Sequence, residues 1–321
     1  MAVYTEVADE ELAAFVSRFG IGELRAAKGI AEGVENSNYL IHTTEGLFIL
    51  TLYEKRVIEA DLPFFIGLME HLAGKGIVCP RPVKDAGGQA LGRLAGRPAA
   101  IVTFLDGMSV RRPSVGHCRA LGEALARLHQ GGADFAGRRR NALSVKGWRP
   151  LFEAAAPRAD GVAPGLARQI EAALAALERD WPQDLPMGNI HADLFPDNVF
   201  FIGKDVSGVI DFYFACTDAL AYDLAVCLNA WCFEPDSSFN MTKGQALLSG
   251  YRRLRPLTPA EAQALPLLAR GAALRFLLTR LVDWLDVPAG ALVRPKDPIE
   301  YLRKLRFHAR VASAAEYGFV T

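Results

Sequence analysis

Before Phe104 the apolar residues of this 321-residue chain come in short alternating runs; after Gly107 they recur every third or fourth position over a dozen residues or more. A period of two makes half-buried strands and a period of 3.6 makes helices, so a small β-rich part must be joined to a larger helical one. Residues 8–18 predict a first helix ending at Gly20 and Gly22. The runs "SNYLIHTT" and "LFILTLY" flank Glu45-Gly46, a two-residue hairpin connection, and predict a small antiparallel sheet. Apolar spacing from Ile58 to Ala73 predicts a helix with Pro63 near its start, where proline is tolerated. "RPAAIVTFL" reads as a buried strand ending at Asp106-Gly107, which puts the boundary between a lobe 1–104 and a lobe 105–321. In the second lobe "CRALGEALARLHQ" and "GLARQIEAALAALERD" predict helices, and Thr258-Pro259-Ala260-Glu261 is a capping box that opens another, to about Trp284.

One β exception interrupts those helices. "NIHAD" runs into "HADLFPDNVFF", and "GVIDF" follows after Lys204-Asp205, so a small hairpin surrounds a histidine, aspartates and an asparagine. Asp193 stands two residues after His191, Asn198 five residues further, and Asp211 thirteen positions beyond that at the end of a β-like run. Phosphoryl transfer to an alcohol asks for such a set: a carboxylate to take the hydroxyl proton, and oxygen ligands to hold magnesium on the phosphates. In the kinase pattern Asp193 is the base, while Asn198 and Asp211 are the metal ligands. Aspartate and asparagine are also common turn residues, and that reading holds for Asp197. His191 reads as a scaffold of the loop. Asp223, opening the apolar helix "AYDLAVCLNAW", either caps amides or braces the catalytic loop. Asp218 is either a turn residue or part of a substrate site. Gly29 and Gly33 in "KGIAEGVENSNYL" either bring backbone amides to phosphates or form an ordinary turn.

Composition narrows the partners. Lysine plus arginine equal aspartate plus glutamate at 36 each, so no global field favours nucleic acid, an anionic membrane or a polycationic substrate. The five cysteines lack CxxC spacing and sit mostly in apolar runs, which predicts buried reduced thiols. The acidic start "MAVYTEVADEELAAF" lacks a signal-peptide pattern, and no uncharged stretch approaches the roughly 20 apolar residues a bilayer span needs. A cytoplasmic protein is expected. Asn240-Met241-Thr242 matches a glycosylation acceptor by chance, and oligomeric state is not written in the pattern.

"HADLFPDNVFF" with "GVIDFYFACTDALAYDLAVCLNAWCF" resembles the aminoglycoside-phosphotransferase-like family of small-molecule kinases. "GIAEGVENSNYL", "TLYEKR", "DLPFFIGLMEHLA", "RPAAIVTFLDG" and "RGAALRFLLTRLVDWL" extend the likeness, within that family, to its homoserine-phosphorylating branch over nearly the whole chain. The resemblance implies an α+β, two-lobed protein-kinase-like fold with a small antiparallel-sheet N-lobe and a larger helical C-lobe. It implies ATP and Mg2+ as cofactors and L-homoserine as the acceptor. Choline, methylthioribose or an aminoglycoside is the alternative acceptor, and a nucleotide-binding regulator without catalysis is the alternative class. Thr51 stands where the phosphate-binding lysine of such kinases falls; Lys55 is the nearest lysine and Glu59 its candidate partner, or both are exposed charges. Homoserine carries a carboxylate, for which Arg275 and Arg280 are candidates, although Arg280 could equally pair with Asp283 or Trp284 on its own helix.

Overall fold

The computed structural model describes residues 5–30, 36–54, 57–287 and 295–320. Contacts divide the chain into two compact units: Met1–Gly107 with Phe135–Gly137 and Ser207–Tyr213, and Met108–Asp134, Arg138–Val206 and Phe214–Thr321. The division is therefore not a single point in the sequence. Mixed α+β content follows the expected class.

In the first unit, α1 (Asp9–Val16) and a tight turn precede five strands: β1 (Leu24–Ile30), β2 (Ser37–Thr43), β3 (Gly46–Leu52) and, after α2 (Leu62–Gly74), β4 (Leu91–Leu94) and β5 (Arg97–Thr103). They form one antiparallel sheet in the order β1-β2-β3-β5-β4. β2 alternates as its sequence predicts, burying Ser37, Tyr39, Ile41 and Thr43. The β2–β3 turn is Thr44-Glu45, one residue earlier than Glu45-Gly46, because Gly46 already pairs with Thr43 and the Thr43 hydroxyl accepts the Glu45 N–H at 3.1 Å. β1 went unread because most of its side chains are exposed and no alternation marks it. α2 begins four residues after Ile58, behind a single turn at Glu59–Asp61, with Pro63 in its first turn. Leu12, Phe15, Val16 and Phe19 pack with Ile41, Leu50, Leu52, Leu94 and Ile101 into one core. Each such leucine or phenylalanine contributes about 1.5–3 kcal/mol on full burial.

The second unit holds β6 (Met108–Ser109), α3 (Val115–Gly131), α4 (Val145–Ala159), α5 (Leu166–Asp180), β7 (Met187–Ile190) and β8 (Val199–Ile202). After β9 (Asp205–Val209), whose last residues count with the first unit, come β10 (Cys216–Ala219), α6 (Leu220–Trp231), α7 (Met241–Arg252), α8 (Pro259–Leu285) and α9 (Pro298–His308). β10 pairs antiparallel with β7, and β6 with β8. Pro150 and Pro157 lie inside α4 and hid it in the sequence. α3 and α7 approach closely at glycines: a Cβ on Gly122 would collide with the Leu247 carbonyl, and one on Gly250 with that of Arg119. Thr258 and Glu261 cap α8 reciprocally at 3.2 and 2.9 Å, as the box predicts. Asn240 caps α7 through the Lys243 N–H, a structural use for the chance acceptor sequence. All five cysteines are buried free thiols. Among the described residues no helix is long and apolar enough to cross a membrane.

Candidate active site

Between the end of β7 and the start of β8, residues 191–198 have no ladder partner, yet half are buried and all but Asp197 at least partly covered, so their backbone groups need other partners. They find them. The N–H groups of His191 and Ala192 donate to the two oxygens of Asp223 at 2.7 and 2.8 Å. The Ala192 carbonyl accepts from Arg275 Nη1, the Leu194 carbonyl from the Trp231 indole at 2.8 Å, and the Asp193 carbonyl from Asn198 Nδ2 at 2.8 Å. Ala192 sits at φ 63°, left-handed for a residue with a side chain, at a cost of about 1–2 kcal/mol. Strain of this kind, beside Asp193, survives because its surroundings over-determine it.

Asp223 lies in the first turn of α6, completely buried. The sequence left open whether it caps or braces; its oxygens go to the loop amides, and Oδ2 also meets His129 Nε2 at 3.1 Å. Burial alone would raise this carboxyl, but the His129 hydrogen bond, the charges of His129 and His191 and the loop amide outweigh it, leaving the carboxyl below its ordinary value. His129 in turn meets the Tyr251 hydroxyl at 2.7 Å. His191 is fully buried and its Nδ1 accepts the Asp193 N–H at 3.3 Å, a geometry suited to loop support. Asp197 is exposed in the turn.

Asp193 is only partly covered, and Asn198 Nδ2 reaches its Oδ2 at 3.3 Å. Burial pushes the Asp193 carboxyl up, while the positive charge of Arg275 pulls the other way. The result is a carboxylate more basic than usual, the direction a proton acceptor needs. Asn198 uses its amide nitrogen in both bonds, leaving the amide oxygen outside them.

Asp211 belongs to the first unit and is itself left-handed, at φ 65°. Two residues on, the Tyr213 hydroxyl lies 3.2 Å from that of Tyr53, the rings edge-on at 5.2 Å. Burial raises both phenols, and the Asp211 charge adds to the rise. On β3, Thr51 is buried and donates its hydroxyl to Asn38 Oδ1 at 2.7 Å. The strand position where the resemblance expects a lysine thus carries a neutral hydroxyl. Gly29 lies inside β1, paired with Tyr39, rather than in a loop; Gly33 and Lys55 lie outside the described residues. Glu59 is exposed and binds Arg93 through both oxygens, at 2.6 and 2.9 Å.

The substrate candidates are already engaged. Asp218 accepts from the Asn141 amide and the Ala219 N–H, each at 2.7 Å. Arg280 pairs with Glu300 at 2.7 Å, donates to the Asp297 carbonyl at 3.1 Å and lies over the Tyr301 ring. Arg275 faces the loop. Sequence reasoning missed His129, Tyr53 and Tyr213, for which no spacing signal existed.

Among the described residues no three His, Cys, Asp or Glu side chains gather as a metal site. Magnesium asks less of a protein: one or two carboxylates, with phosphate oxygens and water completing the octahedron. Asn198 in the second unit and Asp211 in the first each carry a hard oxygen donor of that kind.

Residues 26–257 match the model of a family described as "Phosphotransferase enzyme family". A homoserine kinase of Methylobacterium nodulans is 69% identical over 319 residues, covering 99% of each chain. Homoserine kinases of Xanthobacter autotrophicus and Brucella anthropi are 69% and 65% identical, each over 99% of this chain and over 99% and 98% of their own. Among solved structures, an amicoumacin kinase in complex with AMP-PNP, Ca2+ and Ami has a TM-score of 0.69 at 16% identity, over 94% of this chain and 92% of that one. A spectinomycin phosphotransferase in complex with ADP and its antibiotic reaches 0.70 at 12% identity, over 98% and 99%. At those identities the likeness shows the shared kinase-like fold.

Proposed function

Because this chain belongs to the phosphotransferase enzyme family, we propose that it transfers the γ-phosphoryl group of ATP to the side-chain hydroxyl of L-homoserine, giving O-phospho-L-homoserine on the way to threonine. The observation that carries the chemistry is the loop around Asp193, whose backbone is tied by Asp223, Arg275, Trp231 and Asn198 while its carboxylate stays partly open. The full-length likeness to homoserine kinases supports the acceptor.

Asp193 orients the homoserine hydroxyl and takes its proton as the phosphoryl group arrives. Asn198 and Asp211 hold Mg2+, which when bound neutralises charge on the phosphates. His191 and Asp223 keep the loop in place, so that the base meets the hydroxyl without a search. Gly29 and Gly33 are assigned to the phosphates of ATP, and Lys55 to the cation that meets them. The protein works in the cytoplasm.

ADP release tests this reading, measured with L-homoserine, choline, methylthioribose and an aminoglycoside at equal concentration. A clear preference for L-homoserine is expected. Equal rates, or a preference for another alcohol, would overturn the substrate assignment and leave the phosphotransferase reading standing.

A further inference from the structure

We propose that Arg275 is a positioning residue: it sets the direction of the catalytic carboxylate by holding the Ala192 peptide in its left-handed turn. This rests on the reading of Asp193 as base.

The stretch of α8 around Arg275 is apolar and buried, with Ala272, Ala273, Leu274, Phe276, Leu277 and Leu278 as its neighbours. An arginine 1% exposed in such a place is costly unless strongly bonded. Here Nη1 donates to the Ala192 carbonyl, the guanidinium lies over the rings of Phe276 at 4.4 Å and Phe214 at 5.6 Å, and Nε has no hydrogen-bond partner among the described residues. The bond joins residues 83 positions apart and ends on the peptide between Ala192 and Asp193.

The two peptides that flank the Ala192 Cα are each gripped. Asp223 takes the Ala192 N–H at 2.8 Å and Arg275 takes its carbonyl. With φ at 63°, Ala192 would relax toward an ordinary conformation if released, and the Asp193 side chain would swing with it. Arg275 therefore acts on the reaction by holding the backbone, beside the pull of its charge on the Asp193 carboxyl.

Steady-state kinetics of Arg275→Met and Arg275→Lys test the proposal. Arg275→Met is expected to lower kcat about 100-fold, the effect of an ångström-scale misplacement, with both KM values within about threefold of wild type. Arg275→Lys, which keeps a charged donor, should retain about tenfold more activity than Arg275→Met. Adding Ala192→Gly to Arg275→Lys should recover kcat several-fold, since glycine adopts φ near +60° without strain. A merely structural arginine would give no such recovery. Amide exchange at Asp193 and Leu194 should quicken about tenfold in Arg275→Lys, a readout independent of turnover. A large rise in acceptor KM at unchanged kcat would make Arg275 a substrate reader and overturn the proposal, as would wild-type kinetics or absence of recovery by glycine. If Arg275→Met does not fold, the Arg275→Lys pair and the exchange rates carry the same decision. Ratios are taken with whichever acceptor the wild type phosphorylates, so inactivity toward L-homoserine counts against the substrate reading and not against Arg275.

Discussion

The loop 191–198 in the second unit and strand β3 in the first are both largely covered stretches of backbone, but buried ions share in holding the one and neutral groups alone hold the other. β3 has a hydrogen-bonded neighbour on each side, Thr51 facing Asn38 of β2 and Ala100 of β5, so its amides and carbonyls are satisfied by the ladder. Its side chains need supply only hydroxyl links, such as Thr51 to Asn38. The loop has no ladder, and Asp223 and Arg275 are buried to bond its peptides directly. Buried charge is spent where irregular backbone has to be held in one shape. A left-handed non-glycine residue, Ala192, marks where that shape departs from regular structure.

The comparison breaks most visibly at the base. Asp193→Asn should lower turnover by about 1000-fold or more, the scale of a lost general base, while calorimetric ATP affinity changes by less than about threefold. Retained activity would mean that the loop is held for some other purpose. Next comes the brace: Asp223→Ala strands two loop amides and His129, and should destabilise the protein by about 3–5 kcal/mol in urea denaturation. If it costs no more than removing a β3 hydroxyl, ions are not what holds the loop.

A buried histidine in the second unit carries the comparison into pH. His308 meets the Tyr317 hydroxyl at 2.7 Å and Asn229 at 3.1 Å; burial, then the charge of Lys304, lowers it from 6.5 to about 3. In the unfolded chain it protonates near its ordinary value. Between those limits the unfolded state binds the extra proton, so the contribution is complete above pH 6.5 and falls as the pH drops toward 3, by about 1.4 kcal/mol per unit. Urea midpoints at pH 7 and pH 5 should show a loss of about 2 kcal/mol that His308→Gln removes.

On the neutral side, Thr51→Val leaves the Asn38 oxygen without its donor and should cost about 1 kcal/mol in the same assay. The smallest effect belongs to Glu59→Gln. Its exposed pair with Arg93 should be worth less than about 1 kcal/mol, and kcat should not move. A strong loss of kcat there would restore Glu59 to the nucleotide site.

Element order was legible because burial repeats with the period of the element: β2, α2, α3, α5 and α8 each follow a visible apolar pattern. β1 was not, because an exposed edge strand has no such period, and Gly29 was taken for a loop residue for that reason. α4 was obscured by two prolines that tertiary packing tolerates. The hairpin turn moved by one residue because a threonine side chain, invisible to periodicity, captured an amide.

The spacing of His191, Asp193, Asn198 and Asp211 could be read directly, since it depends only on a short loop and a returning strand. What holds that loop could not. Asp223 reaches it from 31 and 32 positions away, Trp231 from 37 and Arg275 from 83. Local sequence specifies the faces and turns of each element, because those follow from neighbouring dihedrals and burial. Which distant buried polar group satisfies which peptide is settled only when the elements pack, and that choice decides the direction in which Asp193 points.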